Sequence, residues 1–166
     1  MQIKSIEDLF VHLLSDTYSA EKQLLRALPK LSRAAENPKL SEAFASHLEE
    51  TRIQVERIDQ VVESIPDLRL KRIKCVAMEG LVEEGQEIID GVDKGAVRDA
   101  GLIAAAQKVE HYEIAAYGTL CTLAKMLGYQ EAKTLLGQTL EEEKSADSKL
   151  STLAESGINQ DAKQKG

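Results

Sequence analysis

Residues 103–127 read IAAAQKVEHYEIAAYGTLCTLAKML, and their inward positions recur at alternating steps of three and four. This spacing is typical of one face of an α-helix that packs against other helices. Two glutamates occupy positions on this face where apolar side chains are expected. The inward positions are Ile103, Ala106, Glu110, Glu113, Tyr117, Leu120, Ala124 and Leu127. The segment therefore predicts a long helix that carries two acidic residues into a bundle core.

Three further segments show the same alternation, and each carries a glutamate on its inward face. These residues are Glu21, Glu50 and Glu143, and each lies between apolar layers above and below it in the predicted bundle. Caps and turn residues bound the segments, with Asn37-Pro38 as the clearest helix start. The predicted helices run over about 6–35, 38–64, 74–90, 96–127 and 131–155.

The lengths of the connections predict how these helices are arranged. The first and second helices, and the fourth and fifth, are joined by very short turns, so each pair is expected to form an antiparallel hairpin. The long segment between the hairpins contains the shorter third helix. The predicted fold class is all-α: an antiparallel four-helix bundle of two helical hairpins with a long crossover. We expect one domain over 1–157 and a polar, frayed tail over 158–166.

Composition and charge narrow the class of function. The net charge of -7 argues against general nucleic-acid binding, which needs clustered Lys and Arg. No apolar stretch is long enough to span a membrane, and the first residues do not form a secretory signal. Cys75 and Cys121 lie in separate helical patterns without CxxC spacing, which favours buried free thiols in a reducing cytoplasm.

Four inward-facing glutamates need a physical explanation, because a buried charge costs several kcal/mol unless something compensates it. A cation at the centre of the bundle would compensate all four, and Fe or Mn suits an oxygen-rich cage. A single such glutamate has alternatives, because a buried Arg or Lys could pair with it or it could lie at a dimer interface.

The spacing of the acidic residues suggests an internal repeat. Glu50 and Gln54 precede Glu143 and Asp147 by 93 residues, and Glu21 precedes Glu113 by 92. The first hairpin is therefore expected to be echoed by the second, around a pseudo-twofold axis at mid-bundle. Gln54 and Asp147 are candidate ligands, or alternatively an ordinary buried hydrogen-bonding pair.

Five segments spread along the chain resemble the ferritin-like di-iron carboxylate fold and, at closer range, the YciF-type bacterial stress proteins. They are HLLSDTYSAEKQL (12–24), HLEETRIQVERIDQV (47–61), KCVAMEGLVEEG (74–85), KVEHYEIAAYGTL (108–120) and TLEEEKSAD (139–147). The resemblance implies a helical homodimer with a two-metal site inside each bundle and a role in general or oxidative stress. It implies metal-ligating carboxylates at Glu21, Glu50, Glu113 and Glu143. Glu110 would be either a further ligand or a residue that contacts a ligand.

The chain departs from the superfamily pattern, which uses Glu-x-x-His on two helices. Ile53 and Ala146 stand where the histidines would be, and neither binds metal. Gln54 and Asp147, one residue further on, offer oxygen instead. Such an all-oxygen site is harder and shifts the preference toward Mn, Fe(III), Mg or Ca.

Three other side chains lie close to the predicted site. His47 is one turn before Glu50, and we expect it to orient a carboxylate or to bind metal directly. Tyr18 and Tyr117 are expected either to pack as amphipathic residues or to hydrogen-bond a ligand carboxylate.

Three functions follow from the sequence. The first is redox chemistry at two metal ions, like that of a ferroxidase or catalase, on ferrous iron, peroxide or oxygen. The second is metal binding or sequestration without turnover. The third is a structural stress protein in which basic side chains pair with the buried acids.

Overall fold

The computed structural model describes residues 2–165 of the chain. The predicted domain begins at Met1 and the predicted tail ends at Gly166, and these two residues lie outside the described part. Five long helices form the molecule, and no strand occurs between residues 2 and 165. The helices are α1 (Ile6–Ala34), α2 (Pro38–Ser64), α3 (Val76–Gly91), α4 (Ala96–Met126) and α5 (Gln130–Leu153). The predicted all-α class is confirmed.

Local capping explains where the helices begin and end. The Ser5 hydroxyl accepts a hydrogen bond from the backbone N–H of Asp8, whose side chain bonds back to the cap, as in a capping box. The Asn37 side chain accepts two hydrogen bonds from the first turn of α2, and Pro38 opens that helix. Gly128, with φ of 75°, takes the left-handed conformation just after α4.

The helices pack as two antiparallel hairpins. α1 lies against α2, α4 lies against α5, and the hairpins meet through contacts of α2 with α5 and of α1 with α4. The shorter α3 crosses over α1 and α4. This is the topology that the connection lengths predict.

Polar residues on α1 hold the crossover segment in place. Ser15 Oγ accepts from the backbone N–H of Lys71, and Ser19 Oγ accepts from that of Cys75, each at 2.9 Å. Gln23 Nε2 donates to the backbone oxygen of Cys75 at 3.0 Å. Because these three side chains lie one turn apart on α1, they fix the crossover along that helix.

A buried carboxylate fixes the turn between α1 and α2. Asp99, in the first turn of α4, is 2 % exposed. Its two oxygens accept from the backbone N–H groups of Glu36 and Asn37, both at 2.8 Å. One hairpin is therefore attached to the other at this end of the bundle.

The core has two apolar halves with a polar layer between them. We call one of them the closed half and the other the open half. The closed half contains the first half of α1, the end of α2, the end of α4 and the start of α5. The open half contains the remaining halves of these helices together with α3. Representative residues are Phe10, Leu14, Ile58, Leu120 and Leu136 in the closed half, and Leu24, Leu28, Phe44, Leu102 and Leu150 in the open half.

The end of the chain differs from the prediction of a frayed tail. After α5 the chain passes through the segment Ala154–Ile158, in which Gly157 has non-helical backbone angles (φ 176°, ψ -44°) and kinks the chain, and then enters a short helix α6, Asn159–Lys165. Ile158 is 3 % exposed and belongs to the open half, and α6 packs on α4. The apolar anchor at Ile158 explains why the polar residues after it remain helical.

Both cysteines are free, but only Cys75 is buried; Cys121 is partly exposed, whereas the sequence predicts burial for both. Between residues 2 and 165, no helix combines the length and the apolar character needed to cross a membrane.

Candidate metal centre

Five ionisable side chains from all four bundle helices meet in the polar layer. None is more than 6 % exposed, so each is removed from bulk water. They are Glu21 on α1, His47 on α2, Glu110 and Glu113 on α4, and Glu143 on α5. The inward positions predicted for these four glutamates are confirmed.

The donor atoms of these side chains form two adjacent groups. One oxygen or nitrogen each from His47, Glu110 and Glu143 lies within 4.8 Å of the others. Glu21, Glu113 and Glu143 form a second such group. Glu143 belongs to both groups, so the two groups share one buried carboxylate.

Several carboxylate oxygens in this layer have no hydrogen-bond donor. The Tyr117 hydroxyl donates to Glu21 Oε1, which leaves Glu21 Oε2 without a partner. Both oxygens of Glu113 and both of Glu143 also lack one. Buried polar atoms in proteins almost always have partners, so this concentration of orphaned oxygens fits a cation among them.

His47 faces the centre through one nitrogen and is held from behind through the other. Its Nδ1 lies 3.3 Å from Glu50 Oε2, in hydrogen-bond geometry. Its Nε2 lies 3.0 Å from Glu110 Oε1 and 3.6 Å from Glu143 Oε2, without the alignment of a hydrogen bond. When Nδ1 carries the proton, the Nε2 lone pair is directed toward the carboxylates, as in a metal-binding histidine.

Glu50 occupies a different place from the other predicted ligands. Its side chain is 32 % exposed and belongs to neither donor group. Its carboxylate contacts Nδ1 of His47, and His47 does belong to a donor group. Glu50 therefore holds a donor in place instead of being one of the inner donors. The signal was present in the sequence, because residues three apart share a helix face, but the order is His-x-x-Glu rather than Glu-x-x-His.

Gln54 is fully buried, and its amide orientation is fixed from outside the centre. Its Nε2 donates to Glu142 Oε1 at 3.4 Å, while its Oε1 is buried without a partner. Arg57 binds both oxygens of Glu142, at 2.7 and 3.1 Å. Arg57 and Glu142 therefore hold the Gln54 amide with its nitrogen toward Glu142, which leaves Oε1 free to accept from another group. The sequence did not predict this role for Arg57 and Glu142.

Asp147, a predicted ligand, lies away from both donor groups. Its carboxylate is 3.2 Å from His111 Nε2 and 3.3 Å from Gln107 Nε2, at the outer edge of the contact between α4 and α5. The fourth residue after Glu143 has turned past the inward face toward α4, so the structure does not bring it to the centre.

The two tyrosines near the site have different surroundings. Tyr117 is fully buried and bonded to Glu21. Tyr18 is only partly buried and packs at the edge of the closed half, with Lys22 Nζ 5.4 Å from its ring centroid. Of the two roles expected for these tyrosines, Tyr117 hydrogen-bonds a candidate ligand, whereas Tyr18 packs as an amphipathic residue.

The electrostatics of the layer favour bound protons in the absence of another cation. Burial raises the pKa of Glu21 to about 7. Burial, with the neighbouring carboxylates adding to it, holds the pKa values of Glu113 and Glu143 well above their usual range. Burial alone would lower the pKa of His47, but Glu110 and the other carboxylates around it outweigh burial and raise it.

Basic side chains do not compensate this cluster fully. Burial would raise the pKa of Glu110, but the attraction of His47 outweighs it and lowers the pKa. Across residues 2–165, neither Glu21 nor Glu113 forms an ion pair with Lys, Arg or His, and Arg57 pairs with Glu142 instead. One imidazolium therefore faces four carboxyl groups, a donor set that divalent iron or manganese fits.

A cleft leads from the surface to this centre through the open half of the bundle. It has a volume of about 560 Å³ and lies between α2 and α5, above α1 and α4. His47, Glu50 and Glu110 line its inner end, whereas Leu24, Leu28 and other apolar side chains line its body.

Residues 5–163 match the family described as "Domain of unknown function (DUF892)". The chain is 66 % identical over 165 residues to Protein YciF of Escherichia coli (strain K12), covering 99 % of each.

Solved structures agree in fold. The crystal structure of the E. coli stress protein YciF matches with a TM-score of 0.92 at 67 % identity, over 95 % of this chain and 99 % of that one. The YcfI protein of Rhodopseudomonas palustris matches with a TM-score of 0.87 at 44 % identity, over 91 % of this chain and 96 % of that one. A protein from Xanthomonas campestris pv. campestris, 20 % identical, has the same fold with a TM-score of 0.74, over 96 % of this chain and 97 % of that one.

Proposed function

The chain belongs to the DUF892 family, and on that premise we propose that it is a stress-response protein with two divalent metal ions, iron or manganese, inside its bundle. The metal ions would carry redox chemistry on ferrous iron, peroxide or oxygen. One observation carries the proposal: two three-residue donor groups share the buried carboxylate of Glu143.

The donor chemistry supports iron or manganese. Four carboxylates and one imidazole form a mainly oxygen set, which divalent ions of hard or borderline character prefer. The inner donors are expected to be Glu21, His47, Glu110, Glu113 and Glu143, and the unpartnered Oε1 makes Gln54 a further candidate. Bound Fe or Mn would supply one-electron oxidation and reduction.

The surrounding residues have defined tasks in this proposal. Tyr117 donates to one oxygen of Glu21 and leaves the other for a cation. Glu50 holds His47 with Nε2 directed inward. Glu113 and Glu143, whose raised pKa values keep them protonated before loading, would release protons as metal binds.

The wider context of the proposal comes from the relatives. The E. coli relative is described as a stress protein, and we propose a stress role for this chain. We also expect a homodimer, as the family resemblance implies.

A pair of variants on α5 tests the metal proposal. Glu143→Gln removes charge from the shared ligand, whereas Glu141→Gln changes an exposed glutamate two residues away that pairs with Lys144. After reconstitution with Fe or Mn, elemental analysis should find about two equivalents in the native protein and in Glu141→Gln. We expect Glu143→Gln to retain less than about half an equivalent; equal loading of both variants would contradict the proposal.

A second measurement separates turnover from storage. Stopped-flow spectra of the ferrous-loaded protein mixed with peroxide should show oxidation faster than in buffer with the same iron. Metal binding without such acceleration would instead identify a sequestering protein. Absence of metal binding altogether would favour a structural role, which has been suggested for the R. palustris relative.

A further inference from the structure

We infer that the cleft in the open half binds a slender aliphatic molecule whose O–H head reaches the inner end beside His47 and Glu110. The inference deepens the proposed function, on which it rests, by naming the class of substrate: alkyl hydroperoxides and the alcohols related to them. Such a molecule has an apolar chain for the body of the cleft and one polar end for the centre.

The dimensions and lining of the cleft match a small organic ligand. Its volume of about 560 Å³ is within the range of small-molecule sites, roughly 300–1,000 Å³. The body is apolar and the polar groups are concentrated at the two ends. The body is lined by Leu24, Leu28, Phe44, Val109, Leu150 and Leu153.

The inner end presents an oxygen that needs a donor. Glu110 Oε2 is buried and has no hydrogen-bond partner, and Glu110 lines the cleft beside His47. An O–H head can donate to such an atom, whereas a carboxylate head would add a negative charge beside Glu50 and Glu110. An uncharged hydroxyl or hydroperoxide head therefore fits better than a fatty-acid head.

The depth of the apolar lining favours a slender occupant over a second protein. Leu24, Leu28, Phe44 and Leu150 line the cleft but are at most 4 % exposed, so a flat partner surface would not reach them. The large apolar side chains that are exposed within residues 2–165 lie elsewhere: Ile3, Ile53, Val76, Val97 and Met126. Only a molecule that enters between α2 and α5 would contact the apolar body.

The rim restricts the entrance without closing it. Lys39 and Glu42 from α2, with Ser148 and Lys149 from α5, line the cleft as exposed side chains. These polar groups keep the mouth hydrated, while the apolar contacts begin below them.

Calorimetric titration with straight-chain alcohols tests the inference without any turnover. Decanol should bind to the native protein, and affinity should rise roughly fourfold for each CH₂ between hexanol and decanol. Decanoate should bind at least about tenfold more weakly than decanol in the metal-free protein. No heat of binding for decanol, or equal affinity for hexanol and decanol, would overturn the inference.

Matched variants place the ligand in the cleft. Ala146→Phe adds bulk to a residue of the lining, whereas Ala45→Phe adds the same bulk to an exposed position of α2 outside it. We expect Ala146→Phe to weaken decanol binding by at least about tenfold and Ala45→Phe to leave it unchanged. Ala43→Phe fills the cleft from the opposite wall and provides a second variant, should Ala146→Phe fold poorly.

Metal analysis of the same samples separates this inference from the proposed function. Decanol binding in a protein that takes up no Fe or Mn would support the cleft and contradict the metal proposal. Two equivalents of metal without decanol binding would leave the metal proposal intact and overturn the cleft. A dimer that Ala146→Phe dissociates, with no decanol binding to either form, would assign the cleft to a second copy and likewise overturn the inference.

Discussion

The two halves of the bundle are built from the same four helices but fill their interiors differently. In the closed half, Phe10, Leu14 and Leu136 are almost completely buried, and Tyr129 packs edge-on against Phe10. In the open half, apolar side chains just as buried line a cleft of about 560 Å³. The centre between them is therefore approachable from the open half. Burial of individual side chains does not distinguish the two halves, whereas the cleft between α2 and α5 does.

The sharpest test of this comparison uses two leucines of α5, Leu136 in the closed half and Leu150 at the cleft, which are 1 % and 4 % exposed. Leu136→Ala should leave a new cavity and cost about 4 kcal/mol of unfolding free energy. Leu150→Ala only enlarges an existing space and should cost about 2 kcal/mol. Urea denaturation measures both, and equal losses would show that the open half is as tightly packed in solution.

A second test concerns the acidic layer between the halves, in the metal-free protein. The pKa of Glu21 is about 7 in the folded state and near 4.5 when exposed, so its contribution to stability is complete below 4.5 and disappears as pH rises through 7. The raised pKa values of Glu113, Glu143 and His47 act in the same direction, and Glu110, whose pKa is lowered, titrates below this window.

We therefore expect metal-free protein to lose at least roughly 3 kcal/mol of stability between about pH 5 and pH 8, the part that Glu21 alone contributes. Thermal denaturation at a series of pH values measures this loss. Saturating Mn should remove most of it, because the metal replaces the protons. Stability of the metal-free protein that rises over this window would mean that the carboxyl groups are not held in a dry interior.

A third test distinguishes a ligand from a supporting residue on the open side of the layer. Glu50→Gln should weaken metal binding by about ten- to a hundredfold, because Glu50 acts through the orientation of His47. Glu49→Gln, at its exposed neighbour, should have no effect. Competition with a chelator gives the affinities, and a Glu50→Gln variant that retains less than about half an equivalent of metal, as expected for Glu143→Gln, would make Glu50 a ligand itself.

The smallest effect is expected at the edge of the layer. Asp147→Asn should leave metal content unchanged and alter stability by less than about 0.5 kcal/mol, because its partner His111 is largely exposed. Elemental analysis and thermal denaturation check both points. Loss of one metal equivalent would return Asp147 to the ligand set that the sequence predicted.

Local signals predicted the elements of the fold well. Ser5, Asn37 and Gly128 mark helix ends, because capping and left-handed backbone depend on a few adjacent residues. The alternation of steps of three and four predicted the burial of Glu113 and Glu143, because helical periodicity alone decides which face is inward.

The details of the centre depended on packing between helices, which periodicity does not specify. The predicted repeat treats Glu50 as the counterpart of Glu143, yet Glu50 is partly exposed and Glu143 is fully buried. Similarly, Gln54 is buried whereas Asp147 pairs with His111 at the edge. The cleft between α2 and α5 lies in the open half, and its position depends on how these two helices pack rather than on a local signal in either of them.

The carboxylate of Asp99 limits how the chain can be reconnected. The turn at residues 35–37 looks like a place for an insertion or for new termini in a circular permutant, since it is short and joins two complete helices. However, two of its amide groups are the partners of a nearly buried acid on α4. An inserted peptide there would leave that acid without donors, so the exposed segment near Gly95 offers a safer site for fusion or permutation.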